Sequence, residues 1–308
     1  MVVIYLGLVI MIGIWSFSFV LVDIALQFIP PLSLALYRFI IASVSFLIID
    51  IYLKLSGKKK LNEYKNRSEK IEFSRIEWIL LIFASFTGVS LFFFAQYTAI
   101  EIIGPSLPAL FVCLLAPLVI TILALFLFNE KLNILKVIGF VIASIGGFLL
   151  VTGGNLETLT PTSPNFLGYL LALLTPFLWA IYSTITKKLT KNRSSNILNK
   201  YISYLGVIEL TILVLIKGEL IEFFANFLNI ALVLSALYLG LGCYILGYYL
   251  WQISQKKLKS SKAASFLYIE PFLTLLFSAL FQRTETIVLW NIIGGVIVLG
   301  AVLIINYK

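Results

Sequence analysis

Hydrophobic residues run in ten long stretches that occupy almost the whole of this 308-residue chain. The hydrocarbon core of a bilayer is about 30 Å thick, so a helix needs ~20 apolar residues to cross it. The longest polar segment between the stretches is too short to build a soluble core. We therefore predict an all-α membrane protein with ten transmembrane helices, near residues 2–22, 32–53, 77–99, 103–128, 134–152, 166–187, 199–216, 228–252, 262–282 and 286–306.

The composition limits the chemistry that the chain can perform. Hydrophobic residues make up 61% of the sequence and charged residues 12%, far from the proportions of soluble domains. The chain has no histidine, the commonest metal ligand and the usual proton carrier near neutral pH. Cys113 and Cys243 lie apart in apolar stretches, which favours small hydrophobic side chains over a disulfide or a metal site. The phosphate-binding loop sequence of ATPases is absent, and we expect no cofactor.

The basic residues are distributed unevenly between the loops. The formal net charge is +9, which would suit a nucleic-acid partner. However, if the N-terminus is cytoplasmic, nearly all of the 23 Lys and Arg residues fall on the inner side, and only Lys217 and Arg283 fall on the outer side. This is the positive-inside bias of membrane proteins. We predict a multi-pass protein of the cell membrane with both termini in the cytoplasm and no nucleic-acid partner.

The sequence carries the same landmarks twice. Each half has a tryptophan in its first helix, an aromatic residue twenty positions before a proline, and a glutamate nine positions before a glycine. They are Trp15, Tyr97, Pro117, Glu130 and Gly139 in the first half and Trp179, Trp251, Pro271, Glu285 and Gly294 in the second. Five helices is an odd number, so the second copy enters the membrane from the opposite side. We predict two inverted five-helix repeats, residues 1–152 and 165–308, an architecture typical of secondary transporters.

Several of these motifs resemble a known family. The segment 13–19 (GIWSFSF), followed by Pro31 and Arg38, resembles the opening of an EamA-type repeat of the drug/metabolite transporter superfamily. Pro117 with the later Asn-Glu-Lys-Leu of 129–132 resembles its close, and Glu270-Pro271 matches in the second copy. The resemblance implies a secondary transporter, commonly an exporter of amino acids or other small metabolites. It also implies a central cavity lined mainly by helices 1, 3, 4, 6, 8 and 9.

Three ionisable residues lie well inside the predicted helices: Arg38, Glu209 and Glu270. Each costs about 2.5–3.5 kcal/mol or more in the bilayer centre, so each should face a partner or a water-filled cavity. Glu270 is the strongest functional candidate, because Pro271 should kink its helix and a carboxylate there could bind a substrate amine or carry a coupling proton. The alternative is an ion pair that serves folding alone.

Arg38 matches a carboxylate in geometry, but helix 2 is expected at the periphery of the bundle, which favours an ion pair. Glu209 and Glu270 are both open as its partner. Further candidates for substrate contact are aromatic or uncharged polar residues on helices expected to face the centre: Trp15, Ser16, Gln96, Tyr97, Trp179, Tyr182, Tyr248 and Trp251. We interpret Pro117 and Pro271 as kinks that shape or gate the cavity.

The expected partners are a small-molecule substrate, the lipid bilayer, and a proton or a counter-substrate. Glycines along helices 5 and 10 permit close packing, either in a homodimer or within the chain. Two other functions stay open. A lipid-acting enzyme would need catalytic residues clustered at one depth, whereas a non-transporting sensor or assembly subunit would need no central cavity.

Overall fold

The computed structural model of the protein describes residues 2–55, 73–129, 133–152, 166–281 and 289–306, and all the regular structure in these ranges is helical. The long helices are α1 (Val2–Ala25), α2 (Pro31–Leu55), α3 (Arg75–Ile103), α4 (Ser106–Phe128), α5 (Ile134–Thr152), α6 (Phe166–Leu189), α7 (Ser195–Lys217), α8 (Ile230–Lys257), α9 (Ser260–Leu280) and α10 (Leu289–Asn306). A short helix, Leu220–Asn226, joins α7 to α8.

Each predicted apolar stretch coincides with one of these helices to within a few residues. Within the described residues, eight helices are long and apolar enough to cross a membrane, and α5 and α10 contain shorter apolar segments. That all ten helices cross the bilayer therefore stays a prediction. The landmarks Glu130 and Glu285, and the outer-side Arg283, lie outside the described ranges.

Local sequence explains where several helices begin and end. Ser74 caps α3, and Glu77 returns a bond to the Ser74 backbone, which completes a capping box. Gly104 separates α3 from α4 with φ of 76°, and Gly218 ends α7 with φ of 74°, a conformation that glycine adopts without a steric penalty. Asn129 ends α4 in the left-handed conformation with φ of 52°. Asparagine sometimes takes this position at the end of a helix in place of glycine.

Three helices leave the regular α-helical geometry inside their spans. The chain is π-helical at Phe86–Ser90 in α3 and at Tyr238–Tyr248 in α8. In α9 a 3₁₀ segment, Ser265–Ile269, precedes the α-helix Glu270–Leu280. Short π-helical segments occur frequently at functional sites, because they change which side chains face a given direction. All three irregular segments belong to helices that the resemblance assigns to the cavity.

The packing of the helices follows the duplication in the sequence. Helix α2 packs on α7, and α5 packs on α10. Helices α3 and α4 both pack on α6, the first helix of the second half. Their counterparts α8 and α9 both pack on α1, the first helix of the first half. Each helix of the first half can be exchanged for its counterpart five positions later, and each helix of the second half for its counterpart five positions earlier. This exchange turns every one of these pairs into itself or into another of the pairs. The arrangement therefore has the pattern of contacts expected when two equivalent five-helix units meet.

The seam between α5 and α10 depends on small residues. A side chain at Gly139 would collide with Ile305, and one at Gly146 would collide with Ile297. Close helix packing through glycine is common in membranes. These two glycines serve contact within the chain, whereas a homodimer stays a prediction.

Candidate functional site

A pocket lies among helices from both halves of the chain. Side chains from α1, α2, α3, α4, α6, α8 and α9 line it. Its volume is about 50 Å³, enough for a few water molecules. The helices are those that the family resemblance implies, with α2 in addition. Of the residues predicted from the sequence, Trp15, Arg38, Gln96, Trp179, Tyr248 and Glu270 line the pocket.

Two tryptophans from equivalent helices form the aromatic wall of the pocket. The rings of Trp15 and Trp179 meet edge to face, with centroids 5.3 Å apart and planes at 88°, a favourable aromatic geometry. Tyr248 contacts both rings, at 5.9 Å from Trp15 and 5.4 Å from Trp179. The Trp15 indole Nε1 donates to the carbonyl of Cys243 at 3.0 Å. This bond fixes one wall of the pocket to the π-helical segment of α8.

Other predicted contact residues lie behind this wall. Trp251 and Tyr182 are fully buried and do not line the pocket. Trp251 Nε1 donates to Ser183 Oγ at 3.2 Å, and Tyr182 OH accepts from Gln252 Nε2 at 3.0 Å. Their rings pack against Trp179, at 5.8 Å and 5.1 Å between centroids. Their role in the structure is therefore to support the residues that reach the cavity.

Arg38 lies in the interior of the bundle, although α2 was expected at the periphery. Its side chain is buried and lines the pocket. Nη1 donates to Tyr97 OH at 2.5 Å, Nη2 donates to the Leu239 carbonyl at 2.9 Å, and the guanidinium lies 4.3 Å from the centroid of Phe93. Tyr97 thus holds Arg38 and does not itself line the pocket.

The ion pairs expected for Arg38 are not formed in this structure. Neither Glu209 nor Glu270 is within ion-pair distance of Arg38; a phenol, a backbone carbonyl and an aromatic face surround the guanidinium instead. Two donor groups of the Arg38 guanidinium therefore have acceptors, but no carboxylate of the described residues balances its positive charge. Its Nε has no hydrogen-bond partner among the described atoms.

Glu270 lies where α9 changes from 3₁₀ to α-helix, and its side chain is buried in the pocket. Pro271 occupies the first turn of the new α-helix, where a missing N–H costs little. The carboxylate oxygen Oε2 accepts from the Cys113 thiol at 3.2 Å. Ser16, which does not line the pocket, donates to the Glu270 backbone carbonyl at 3.2 Å.

The two predicted proline kinks differ in the structure. Pro271 coincides with a change of helix type, whereas α4 remains α-helical through Pro117. Because Pro117 has no N–H, the carbonyl of Cys113, four residues earlier, lacks its usual helical donor. A gating role for either proline stays a prediction.

Glu209 lies outside the pocket, between α7 and α3. Its Oε2 accepts from Ser90 Oγ at 2.5 Å and from Ser85 Oγ at 3.1 Å. Two hydroxyl donors next to the π-helical segment of α3 therefore take the place of the arginine that the sequence suggested.

The sequence interpretation missed several residues that line the pocket, among them Phe92, Phe93, Cys113 and Cys243. Cys113 had a usable signal, because it lies four residues before a membrane proline. Phe92 and Phe93 could have been found from their spacing, because they precede the predicted residue Gln96 by about one helical turn. Cys243 had no comparable signal: its place in the pocket depends on the π-helical geometry of α8.

Two ion pairs join the halves on the side predicted to be cytoplasmic. Arg193, in the loop after α6, binds Glu77 of α3 through two bonds of 2.8 Å. These bonds raise the pKa of the Arg193 guanidinium above its usual value. Lys200 of α7 binds Asp50 of α2 at 3.0 Å. Exposed pairs of this kind contribute little stability each, but both tie the first half to the second.

Comparison with known proteins gives a consistent picture. The sequence pattern of the EamA-like transporter family matches residues 2–152 and again residues 166–307. An uncharacterized transporter from Archaeoglobus fulgidus is 28% identical over 298 residues, covering 96% of this chain and 94% of that protein. The uncharacterized transporter YyaM from Bacillus subtilis is 26% identical over 288 residues, covering 93% and 88%.

A solved crystal structure shares the fold with a TM-score of 0.68 at 17% identity, covering 98% of this chain and 96% of the other. Among the described residues, no group of three or more cysteine or acidic side chains is placed to hold a metal ion.

Proposed function

The chain belongs to the EamA-like transporter family of the drug/metabolite transporter superfamily and is a multi-pass membrane protein. From this premise we propose that it is a secondary-active transporter that exports an amino acid or a related small solute across the cell membrane. All ten long helices cross the bilayer in this proposal, as two inverted repeats over residues 1–152 and 165–308 with both termini in the cytoplasm. The positive-inside bias and the paired packing of the helices support it.

The observation that carries the proposal is the presence of an acidic and a basic side chain in one pocket. Arg38 and Glu270 are both buried and line the same cavity, but they do not pair with each other. A solute with a carboxylate and an amine can complement both, because guanidinium matches carboxylate geometry and a carboxylate binds an ammonium group. Trp15, Trp179 and Tyr248 offer an apolar wall for the rest of the solute.

The size of the pocket bears on the transport cycle. Ligand pockets usually measure about 300–1,000 Å³, whereas this cavity is about 50 Å³. We interpret the structure as a contracted conformation that widens when the repeats rock against each other. The Glu77–Arg193 and Asp50–Lys200 pairs join the halves at the predicted cytoplasmic side, so both should separate when the pocket opens there.

Coupling in this proposal uses a proton or a counter-substrate. Glu270 is the candidate carrier of the proton, because a carboxylate can hold either an ammonium group or a proton but not both. The pocket between the halves favours a transporter over a sensor that needs no cavity.

Reconstitution in liposomes tests the proposal. The protein is expected to exchange radiolabelled members of an amino-acid panel in a counterflow assay, with a rate that responds to an imposed pH gradient if a proton is the coupling ion. Glu270→Gln should abolish exchange while the amount of monodisperse protein in the membrane stays normal. Full exchange by Glu270→Gln would remove this residue from the mechanism, and failure of every amino acid would contradict the proposed substrate class.

A further inference from the structure

Glu270 connects α9 to two helices of the first half, and each connection uses a different part of the residue. Ser16 Oγ of α1 shares its hydrogen between the Ile12 carbonyl at 2.7 Å and the Glu270 backbone carbonyl at 3.2 Å, and Thr274 Oγ1 of α9 donates to the Ser16 carbonyl at 3.3 Å. These bonds hold the α9 backbone to α1 whatever the side chain of Glu270 does. Within the described part of the chain, the carboxylate itself is held by α4.

The contact with α4 consists of a thiol and a carboxylate. Cys113 Sγ donates to Glu270 Oε2 at 3.2 Å, and both side chains are nearly fully buried, with exposed fractions of 1% and 3%. Neither residue forms another side-chain hydrogen bond through these atoms within the described part of the chain. The contact joins the first half to the second inside the pocket, at the residue proposed to receive the substrate amine.

A thiol is a weak donor, and this weakness gives the contact its significance. An ammonium group forms a charge-assisted bond to a carboxylate that is roughly twice as strong as a neutral one. A cationic solute in the pocket should therefore displace the thiol. Because Pro117 already deprives the Cys113 carbonyl of its helical donor, α4 has one backbone hydrogen bond fewer at this level.

We propose that Cys113 is a positioning residue for Glu270, and that its thiol holds the carboxylate against α4 until a cationic group of the solute replaces it. The replacement removes a hydrogen bond between α4 and α9, the helices that carry the two equivalent prolines. This inference rests on the proposed role of Glu270 in binding the solute.

Infrared spectroscopy of the S–H stretch tests the bond directly, without any transport measurement. The chain has two cysteines, so Cys113→Ala and Cys243→Ala assign both bands in purified protein in lipid nanodiscs. The Cys113 band should lie at lower frequency than the Cys243 band, because the Cys113 thiol donates to a carboxylate over 3.2 Å, whereas Cys243 donates to the Ile14 carbonyl over 3.8 Å. Glu270→Gln should shift the Cys113 band upward, whereas Glu209→Gln should leave it in place. A Cys113 band that ignores Glu270→Gln overturns the proposal.

Propylammonium chloride tests the replacement step. Titrated into the nanodiscs, it should shift the Cys113 band upward in the native protein, and sodium propionate should not. Glu270→Gln should remove the response. No response of the native protein to propylammonium overturns the replacement step.

Transport kinetics then distinguish a positioning role of Cys113 from a role in packing alone. Cys113→Ala should lower the KM of the exchanged amino acid roughly fivefold, because the solute no longer has to break the thiol bond and one hydrogen bond has about this effect, with little change in the maximal rate. Cys113→Ser, which restores a donor, should return the KM towards the native value. Equal KM values for the alanine and serine variants contradict the proposal. If no amino acid is exchanged by the native protein, the proposed function fails while the infrared result still decides the bond.

Discussion

The π-helical segments of α3 and α8 occupy equivalent positions in the two halves, and each lies beside an ionisable side chain from the opposite half. The segment of α8 receives Arg38 of α2, which donates to the Leu239 carbonyl at 2.9 Å. The segment of α3 receives Glu209 of α7, which accepts from Ser85 and Ser90 at its two ends. The same architecture thus holds a cation in one half and an anion in the other.

The two segments also admit an aromatic ring in the same manner. Gly247 in α8 leaves room for Trp15 of α1, and Gly88 in α3 leaves room for Tyr182 of α6; a side chain at either glycine would overlap the ring. The consequences differ, however. Trp15 and Arg38 line the pocket, whereas Tyr182 and Glu209 do not. Of the two π-helical segments, that of α8 borders the pocket through Cys243 and Tyr248, whereas no residue of the segment in α3 lines it.

The largest effect should follow removal of Arg38. Arg38→Ala leaves the Tyr97 hydroxyl and the Leu239 carbonyl without their charged donor, at an expected cost of roughly 3 kcal/mol in the free energy of unfolding. Amino-acid exchange should fall more than tenfold. Arg38→Lys is the matched control and should be intermediate, because an ammonium group cannot reproduce the two-pronged geometry. Thermal unfolding in detergent and counterflow measure the two quantities; an Arg38→Ala protein as stable as the native one would contradict the bonding described here.

The paired glycines should give a smaller effect that distinguishes the two segments. Gly247→Ala and Gly88→Ala each force an aromatic ring to move, with an expected loss of about 1–3 kcal/mol in stability. Exchange per folded molecule should fall for Gly247→Ala, because Trp15 lines the pocket. It should change little for Gly88→Ala. Equal losses of exchange in the two variants would show that both segments contact the solute pathway.

The smallest effect is expected at Glu209. In Glu209→Gln the side-chain carbonyl can still accept from Ser85 and Ser90, so we expect a change in stability within about 0.5 kcal/mol and an unchanged rate of exchange. The same substitution at Glu270 is expected to abolish exchange. Loss of exchange in Glu209→Gln, with normal stability, would assign a coupling role to the α3 side and reverse the comparison.

Much of the fold could be predicted from the sequence. Long apolar stretches need no tertiary information, because a helix that crosses lipid must satisfy its backbone hydrogen bonds internally. The duplicated Trp and Pro positions also identified helices that meet at the pocket. Trp15 and Trp179 were recognised for this reason, and Glu270 because it is an ionisable residue beside Pro271 inside a helix. The structure brings all three to one cavity.

The individual contacts of the site could not be predicted in the same way. Arg38 was expected to pair with an acid, because charge complementarity is the only partner signal visible in a sequence. In the structure a tyrosine hydroxyl and a backbone carbonyl hold it instead. Nothing in the sequence marks either group as a partner of Arg38, since Tyr97 was singled out for its spacing from Pro117 and for substrate contact.

The sequence by itself determined that this protein lies in a membrane, that it is helical, that its helices repeat in two halves, and to which family it belongs. Only the tertiary structure decided which side chains of each helix face the cavity. The reason is the helical register: a π-helical turn holds more residues than an α-helical turn and redirects the side chains that follow it. In α8 this placed Cys243 and Tyr248 at the pocket and left Trp251 behind it.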